Sequence, residues 1–308
     1  MKERLVIGSR GSQLALKQTN LIKEQLLAFH PQVTLYVEII KTSGDVKSEP
    51  LSVIGGKGVF TKELEDALID GRIDIAVHSL KDLPTLVPDQ LAIAAICERE
   101  DARDALVLRN GLAPTHSSLN DLPSGAIVGT SSQRRLAQLK YLRHDVVVND
   151  LRGNVDTRVR KLDEGQYDAL ILAAAGLRRL ELGSRINTLI PISEMLPAVG
   201  QGALAIETRA GDYDVIEIVR TLDHQPTHVA CTAERSFLRA LGGGCQLPIA
   251  GYAVDSDGRL SLEGLVAGRE GQEMVKSTIT GQSTDAESLG VQLAARLLEQ
   301  GANRLLAD

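Results

Sequence analysis

Short apolar runs alternate along this chain with segments whose apolar residues recur every three or four positions, the pattern of strands followed by amphipathic helices. Residues 5–7 predict a strand. Residues 12–29 predict a helix whose Ala15, Ile22 and Leu26 share one face, with Leu14 and Leu21 alongside and Ser12 as N-cap. Residues 33–40 predict the next strand. A glycine-rich segment, Gly55-Gly56-Lys57-Gly58, precedes a helix carrying Leu64, Ala67 and Leu68, and residues 73–78 and 91–96 are further strands. The charged residues 98–104 read as a crossing between domains. The alternation then restarts with strand 126–129, helix 133–142, strand 146–151, helix 155–162 and strand 169–174. Around residues 197–202 the chain crosses back, and residues 203–207 add a strand to the first domain.

From about Thr227 the pattern changes. A helix over 229–241 leads to Gly242-Gly243-Gly244-Cys245-Gln246-Leu247-Pro248. Strands 249–254 and 260–266 flank a turn at Asp255-Ser256-Asp257-Gly258, and strand 274–279 and helix 286–298 complete a small unit. The expected fold class is α/β. Two hinged α/β lobes comprise residues 1–98 with 203–221 and residues 99–202, and a small α+β domain over 222–308 carries Cys245. Ligands of such lobes bind at the carboxyl ends of the strands, and two lobes joined by two crossings would make a cleft.

A length of 308 residues exceeds one ordinary domain. A net charge of −6 argues against nucleic acid as a partner, and the absence of Trp argues against base-stacking platforms. Three widely spaced cysteines do not make a disulfide framework and fit a reducing cytoplasm. Cys97 and Cys231 lie in apolar patterns and read as core. No apolar run is long enough to span a bilayer, so no membrane partner is expected. Met1-Lys2-Glu3-Arg4 leads straight into a strand without a signal core, which places the protein in the cytoplasm. Nothing in the pattern demands assembly, and a monomer is expected.

Polar side chains gather at the predicted strand ends. They are Ser9-Arg10-Gly11-Ser12, then His78-Ser79-Leu80-Lys81-Asp82, then Thr130-Ser131-Ser132-Gln133-Arg134-Arg135. Arg152-Gly153-Asn154 follows, with Arg158 a turn later, and then Arg178-Arg179. Any one arginine here reads as a solvated surface residue. Several at strand ends in an acidic protein point to a ligand with many carboxylates or phosphates, which guanidinium forks grip in bidentate fashion. Helix starts with free N–H groups suit the same ligand. The glycine-rich segment lacks the spacing of a phosphate-binding loop and its Ser/Thr partner. Lys57 and Phe60 in that segment suit a lid, or an ordinary flexible loop.

No metal site is expected. His224 and His228 have helical ligand spacing, but Pro226 between them opposes a helix. His78 and Ser79 point to opposite faces of a strand and make a poor base–nucleophile pair. Asp82, directly after a strand, is the best candidate for catalysis, either stabilising positive charge or moving a proton; a salt-bridged loop aspartate is the alternative. Cys245 between glycines lies on an open loop where something could be attached, or is an incidental thiol in a glycine turn. A non-enzymatic hinged binding protein for a small polycarboxylate explains the lobes and arginines but not Cys245. A transferase using Cys245 as a transient nucleophile would need a base that the sequence does not offer.

Taken in order, these segments, together with Asp74-Ile75-Ala76-Val77-His78-Ser79-Leu80-Lys81-Asp82-Leu83-Pro84, Gly129 to Arg135, Leu151-Arg152-Gly153-Asn154-Val155 and Pro197 to Ala203, resemble the porphobilinogen deaminase (hydroxymethylbilane synthase) family over nearly the whole chain. The resemblance implies a three-domain fold whose first two lobes are like periplasmic binding proteins. It implies a transferase of tetrapyrrole and heme biosynthesis that condenses four porphobilinogen molecules head to tail, releases ammonia at each step, and frees hydroxymethylbilane by hydrolysis. It implies a covalent dipyrromethane cofactor held as a thioether on Cys245, serving as a primer. Carried over by position, Ser12, Lys81, Asp82, Thr130, Ser132, Arg134, Arg135, Arg152, Gly153, Asn154 and Arg158 would bind the cofactor. Arg10, Arg179 and Gln201 would bind substrate, Lys57 and Phe60 would belong to a lid, and Asp82 would be catalytic, stabilising the cationic azafulvene left when ammonia departs. Many members have a lysine where this chain has Val53.

Overall fold

The computed structural model describes residues 2–43, 61–111, 118–244 and 247–307. Val53, Lys57, Phe60 and Cys245, each singled out above, lie outside the described residues. In chain order the strands are β1 (Arg4–Ser9), β2 (Thr34–Ile39), β3 (Ile75–Ser79), β4 (Leu91–Ile96), β5 (Asp104–Leu108), β6 (Ile127–Gly129), β7 (Val147–Asn149), β8 (Ala169–Ala173), β9 (Thr188–Leu189), β10 (Leu204–Arg209), β11 (Ile249–Ser256), β12 (Arg259–Ala267) and β13 (Met274–Gln282). The helices used below are α1 (Gln13–Phe29), α2 (Lys62–Ile69), α3 (Gln133–Leu142), α4 (Val155–Asp163), α5 (Ala174–Arg179), α6 (Tyr213–Arg220), α7 (Gln225–Ala240) and α8 (Ala286–Leu297). Two compact units form, Met1–Arg99 with Ala203–His228 and Glu100–Gly202 with Val229–Asp308.

The first unit holds a sheet ordered β2-β1-β3-β10-β4. β1 runs parallel to β2 and β3, and β10 runs antiparallel to β3 and β4. Side chains alternate across the sheet. Leu5, Ile7, Ile75 and Ile206 face α1 and α6, whose Ile22, Leu26, Val215 and Val219 complete that core. Ala76 faces the other way, toward Leu64, Ala67 and Leu68 around α2. Helices on both faces explain why these strands read as apolar runs rather than as strict alternation.

The second unit holds a five-stranded sheet ordered β7-β6-β8-β5-β9. β6 is parallel to β7 and β8, and β5 is antiparallel to β8 and β9. Leu106, Val128 and Ile171 pack with Leu139 of α3 on one face. Val107, Leu170 and Leu172 pack with Val159 and Leu162 of α4 on the other. The same unit carries the antiparallel meander β11-β12-β13. Its first hairpin turns at Asp257 and Gly258, φ +53° and +79°, the two-residue left-handed turn that matches strand twist. Phe237 of α7 and Leu289, Leu293 and Leu297 of α8 fill the core over this sheet. Gly264 lies under the Phe237 ring, where a Cβ would meet Cζ at 2.7 Å. Ala137 of α3 packs with Leu196, Ala250 and Leu265, which joins the meander to the helix that carries Arg134 and Arg135.

Two expectations are corrected. Residues 98–104 are not wholly a crossing, because Asp104 already belongs to β5, paired with Ala173 of β8. Pro226 does not break the helix. It lies in the first turn of α7, where the missing N–H would have had no intrahelical partner, and His228 N donates to His224 O at 2.9 Å. β10 runs on to Arg209, and the short α6 was not anticipated. Cys97 and Cys231 are buried in the core, as expected, and neither is in a disulfide.

Candidate active site

In the first unit the chain leaves β1 through Arg10-Gly11 and starts α1 with Ser12 as N-cap, its Oγ accepting from Ala15 N at 3.3 Å. The buried Ser9 Oγ accepts from Thr19 Oγ1 at 2.9 Å. Gln18 Nε2 donates to Ser79 Oγ at 2.9 Å and ties α1 to the end of β3. β3 then tightens into a 3₁₀ turn, Leu80–Asp82. Leu80 is buried, and its N–H donates to Ala203 O at 3.0 Å, which fixes the turn against the segment that enters β10. Lys81 is half-buried. Asp82 is exposed, and its carboxylate has no hydrogen bond or ion pair with the described residues.

One turn behind, His78 Nε2 lies 3.0 Å from Glu207 Oε2, both side chains buried, so neither is available to Ser79. Glu207 Oε1 is buried without a hydrogen-bond partner among the described residues. On α2, burial pushes the Glu65 carboxyl up, and the nearby charge of Glu207 acts in the same direction.

In the second unit β6 ends at Gly129, and Thr130 N donates to Asn149 O at 3.0 Å. Thr130 Oγ1 accepts from Ser132 N at 3.2 Å, and Ser132 caps α3, its Oγ 3.5 Å from Arg135 N. The two arginines that follow converge on Asp104. Arg134 Nη1 donates to Oδ2 at 2.6 Å, and Arg135 Nη2 donates to Oδ1 at 2.7 Å. Gln201, fully buried, donates from Nε2 to Asp104 Oδ1 at 2.9 Å and to Ala102 O at 2.7 Å. Burial alone would raise the Asp104 carboxyl. The charges of Arg134 and Arg135 outweigh it and hold the group well below the usual carboxylate range.

The next strand end gives a second cluster. Arg152 Nε donates to Asp150 Oδ2 at 2.6 Å, and Arg158 Nε donates to Gly153 O at 2.7 Å. Gly153 has φ +108°, which favours glycine, and a Cβ there would lie 2.7 Å from Thr157 Cγ2. Asn154 starts α4 without a side-chain cap bond and is exposed. Arg179, at the end of α5, donates from Nη2 to Gly202 O at 2.7 Å.

Thus the first unit brings Arg10, Ser12, Lys81 and Asp82 to neighbouring strand ends. The second brings Arg134, Arg135 and Gln201 onto Asp104, places Thr130 and Ser132 at the start of α3 beside those arginines in sequence, and puts Arg152, Gly153, Asn154 and Arg158 into one turn. Gln201 was expected against substrate; its amide is buried on Asp104 and Ala102. Asp104 itself was missed. Its only sequence signal is an aspartate opening the apolar run of residues 105–108. No group of three or more His, Cys, Asp or Glu suited to a metal occurs among the described residues. Within them, too, no helix is long and apolar enough to cross a membrane.

Residues 5–217 match the family model described as porphobilinogen deaminase, dipyromethane cofactor binding domain, and residues 228–299 match that of the porphobilinogen deaminase C-terminal domain. A porphobilinogen deaminase of Roseiflexus sp. is 49% identical over 308 residues, covering 100% of both chains. That of Synechococcus elongatus is 49% identical over 303 residues, 98% of this chain and 94% of the relative. That of Nostoc sp. is 50% identical over 301 residues, 97% and 93%. A solved TRAP periplasmic solute binding protein from Desulfovibrio salexigens is 12% identical over 72% of this chain and 73% of that one, with a TM-score of 0.43, too low to carry weight on the fold.

Proposed function

From the premise that this chain belongs to the porphobilinogen deaminase family, we propose roles for its residues in that family's reaction. The activity is a transferase activity, hydroxymethylbilane synthase, and the chain carries the family's dipyrromethane-binding domain. A non-enzymatic binding protein for a polycarboxylate is accordingly not favoured.

The donor set fits a ligand with several carboxylates. The second unit offers two guanidinium groups around one carboxylate, a further pair at Arg152 and Arg158, and hydroxyls at Thr130 and Ser132. Arg134, Arg135, Arg152 and Arg158 hold the dipyrromethane carboxylates, with the Gly153-Asn154 turn, Thr130, Ser132, Ser12 and Lys81 assisting. The cofactor is attached as a thioether to Cys245. When bound, it supplies the pyrrole carbon to which substrate units are joined.

Arg10 and Arg179 hold the acetate and propionate of an incoming porphobilinogen. Asp82 accepts the pyrrole N–H and stabilises the positive charge that grows on the ring as the aminomethyl C–N bond breaks and ammonia leaves. An exposed carboxylate with no partner among the described residues is free to do this, and that observation carries the assignment. Gln201 acts indirectly, through Asp104 and the arginines that hold the cofactor. We place the protein in the cytoplasm, which suits Cys97 and Cys231, neither of which is in a disulfide, as a monomer of three domains divided at residues 98–99, 202–203 and 221–222.

The deciding experiment is the intact mass of the denatured protein after incubation with porphobilinogen. An excess of two porphobilinogen units less two ammonias should map to the Cys245 peptide and disappear in Cys245→Ser. A bare polypeptide mass, with no ammonia released, would sink the reading.

A further inference from the structure

Arg134 and Arg135 are consecutive at the start of α3, and side chains one apart on a helix diverge by about 100°. Both nevertheless reach one carboxylate. Beyond the two bonds given above, Arg134 Nη2 lies 3.3 Å and Arg135 Nε 3.1 Å from Asp104 Oδ1. Two cations and one anion leave a net positive charge where Asp104 and Gln201 are fully buried and both arginines nearly so. A buried, unbalanced charge is costly. Within the protein, Arg134 finds a neutral acceptor in Leu196 O, 2.9 Å from Nη1. The Nη1 of Arg135 has no partner among the described residues.

We infer that Asp104 is a positioning residue that turns Arg135 out of its helical direction and aims its open Nη1 edge at one carboxylate of the bound dipyrromethane, while Gln201 holds Asp104 in place. This rests on the family reading above and adds to it the residues that orient the arginine. An incoming carboxylate meets a preset guanidinium and balances the cluster's charge, so little side-chain freedom is lost on binding. A neutral residue at 104 leaves two like charges side by side and releases Arg135.

The test uses the full chain and its Asp104→Asn, Asp104→Glu and Gln201→Leu variants. Each is incubated with porphobilinogen at the same interval below its own melting temperature, then denatured and weighed. The fraction of Asp104→Asn carrying the two-unit mass should fall about tenfold or more, with unchanged far-UV circular dichroism. Asp104→Glu, which keeps the charge, should recover part of that loss, and Gln201→Leu should show a smaller deficit. Loading of folded Asp104→Asn equal to the parent's, or no better loading by Asp104→Glu than by Asp104→Asn, overturns the inference and leaves the family reading intact. If Asp104→Asn does not fold, Gln201→Leu decides, and parental loading by it is the overturning result. A parent that gains no mass overturns the family reading instead.

Discussion

The sheet β2-β1-β3-β10-β4 and the sheet β7-β6-β8-β5-β9 place parallel and antiparallel neighbours in the same order. Each has three parallel strands, then one antiparallel strand supplied from elsewhere in the chain, then an edge strand. Their acidic residues are treated in opposite ways. In the first, Asp82 ends the turn after β3 with its side chain exposed and its carboxylate without a partner among the described residues. In the second, Asp104 opens β5 fully buried, with three side chains donating to it. An exposed carboxylate stays available to a ligand and contributes little to stability. A buried one fixes its neighbours and leaves them no alternative, because breaking the set strands a charge out of water.

The comparison breaks first at Arg134. Arg134→Met should cost about 3–5 kcal/mol in a urea unfolding experiment, since Asp104 loses its closest cation while remaining buried. Acid sharpens this. The folded Asp104 carboxyl titrates below the roughly 3.9 of a free aspartate, so its contribution is complete above that pH and is lost as pH falls toward the folded value. The parent should therefore lose more stability than Arg134→Met does between about pH 4 and pH 2. Parallel acid profiles would refute the buried-charge account.

Asp82→Asn should reverse the pattern. Turnover of porphobilinogen should fall about 10²–10³-fold, because the amide carries no negative charge for the developing cation. The melting temperature should hardly move, since no group among the described residues relies on that carboxylate. Near-parental rates, or a large loss of stability, would each count against the contrast.

The smallest effect belongs to the exposed pair Arg72–Glu38, 3.5 Å apart with both side chains largely in solvent. Arg72→Ala should stay within about 0.5 kcal/mol of the parent by urea titration. A cost comparable to that at Arg134 would mean that burial is not what separates the two ion pairs.

Much of this was legible in the residues. α3 is Gln133–Leu142, as its periodicity predicts, and Ser12 caps α1 as expected, while the same role of Ser132 on α3 was not anticipated. β4 is Leu91–Ile96, as its apolar run predicts. The family was legible as well, because its segments recur in order. Asp104 was not. A carboxylate that is buried because distant residues neutralise it looks locally like a surface charge, and β5, which it opens, was not anticipated as a strand at all. Gln201 was hidden for the same reason: its amide points inward only because Asp104 and Ala102 O are there. Pro226 misled because a proline inside a helix and one in a first turn look alike until the start of the helix is known.

The place of β10 has a consequence for synthesis. β3 and β4 are hydrogen-bonded to β10 rather than to each other, and β10 is made about a hundred residues after β4. As the chain leaves the ribosome, the first sheet must wait with two unpaired strand edges while the whole of β5 to β9 emerges and pairs within itself. The sheet that bears Asp82 is begun first and closed second, so a truncation anywhere before Leu204 leaves it open, however complete the rest of its sequence.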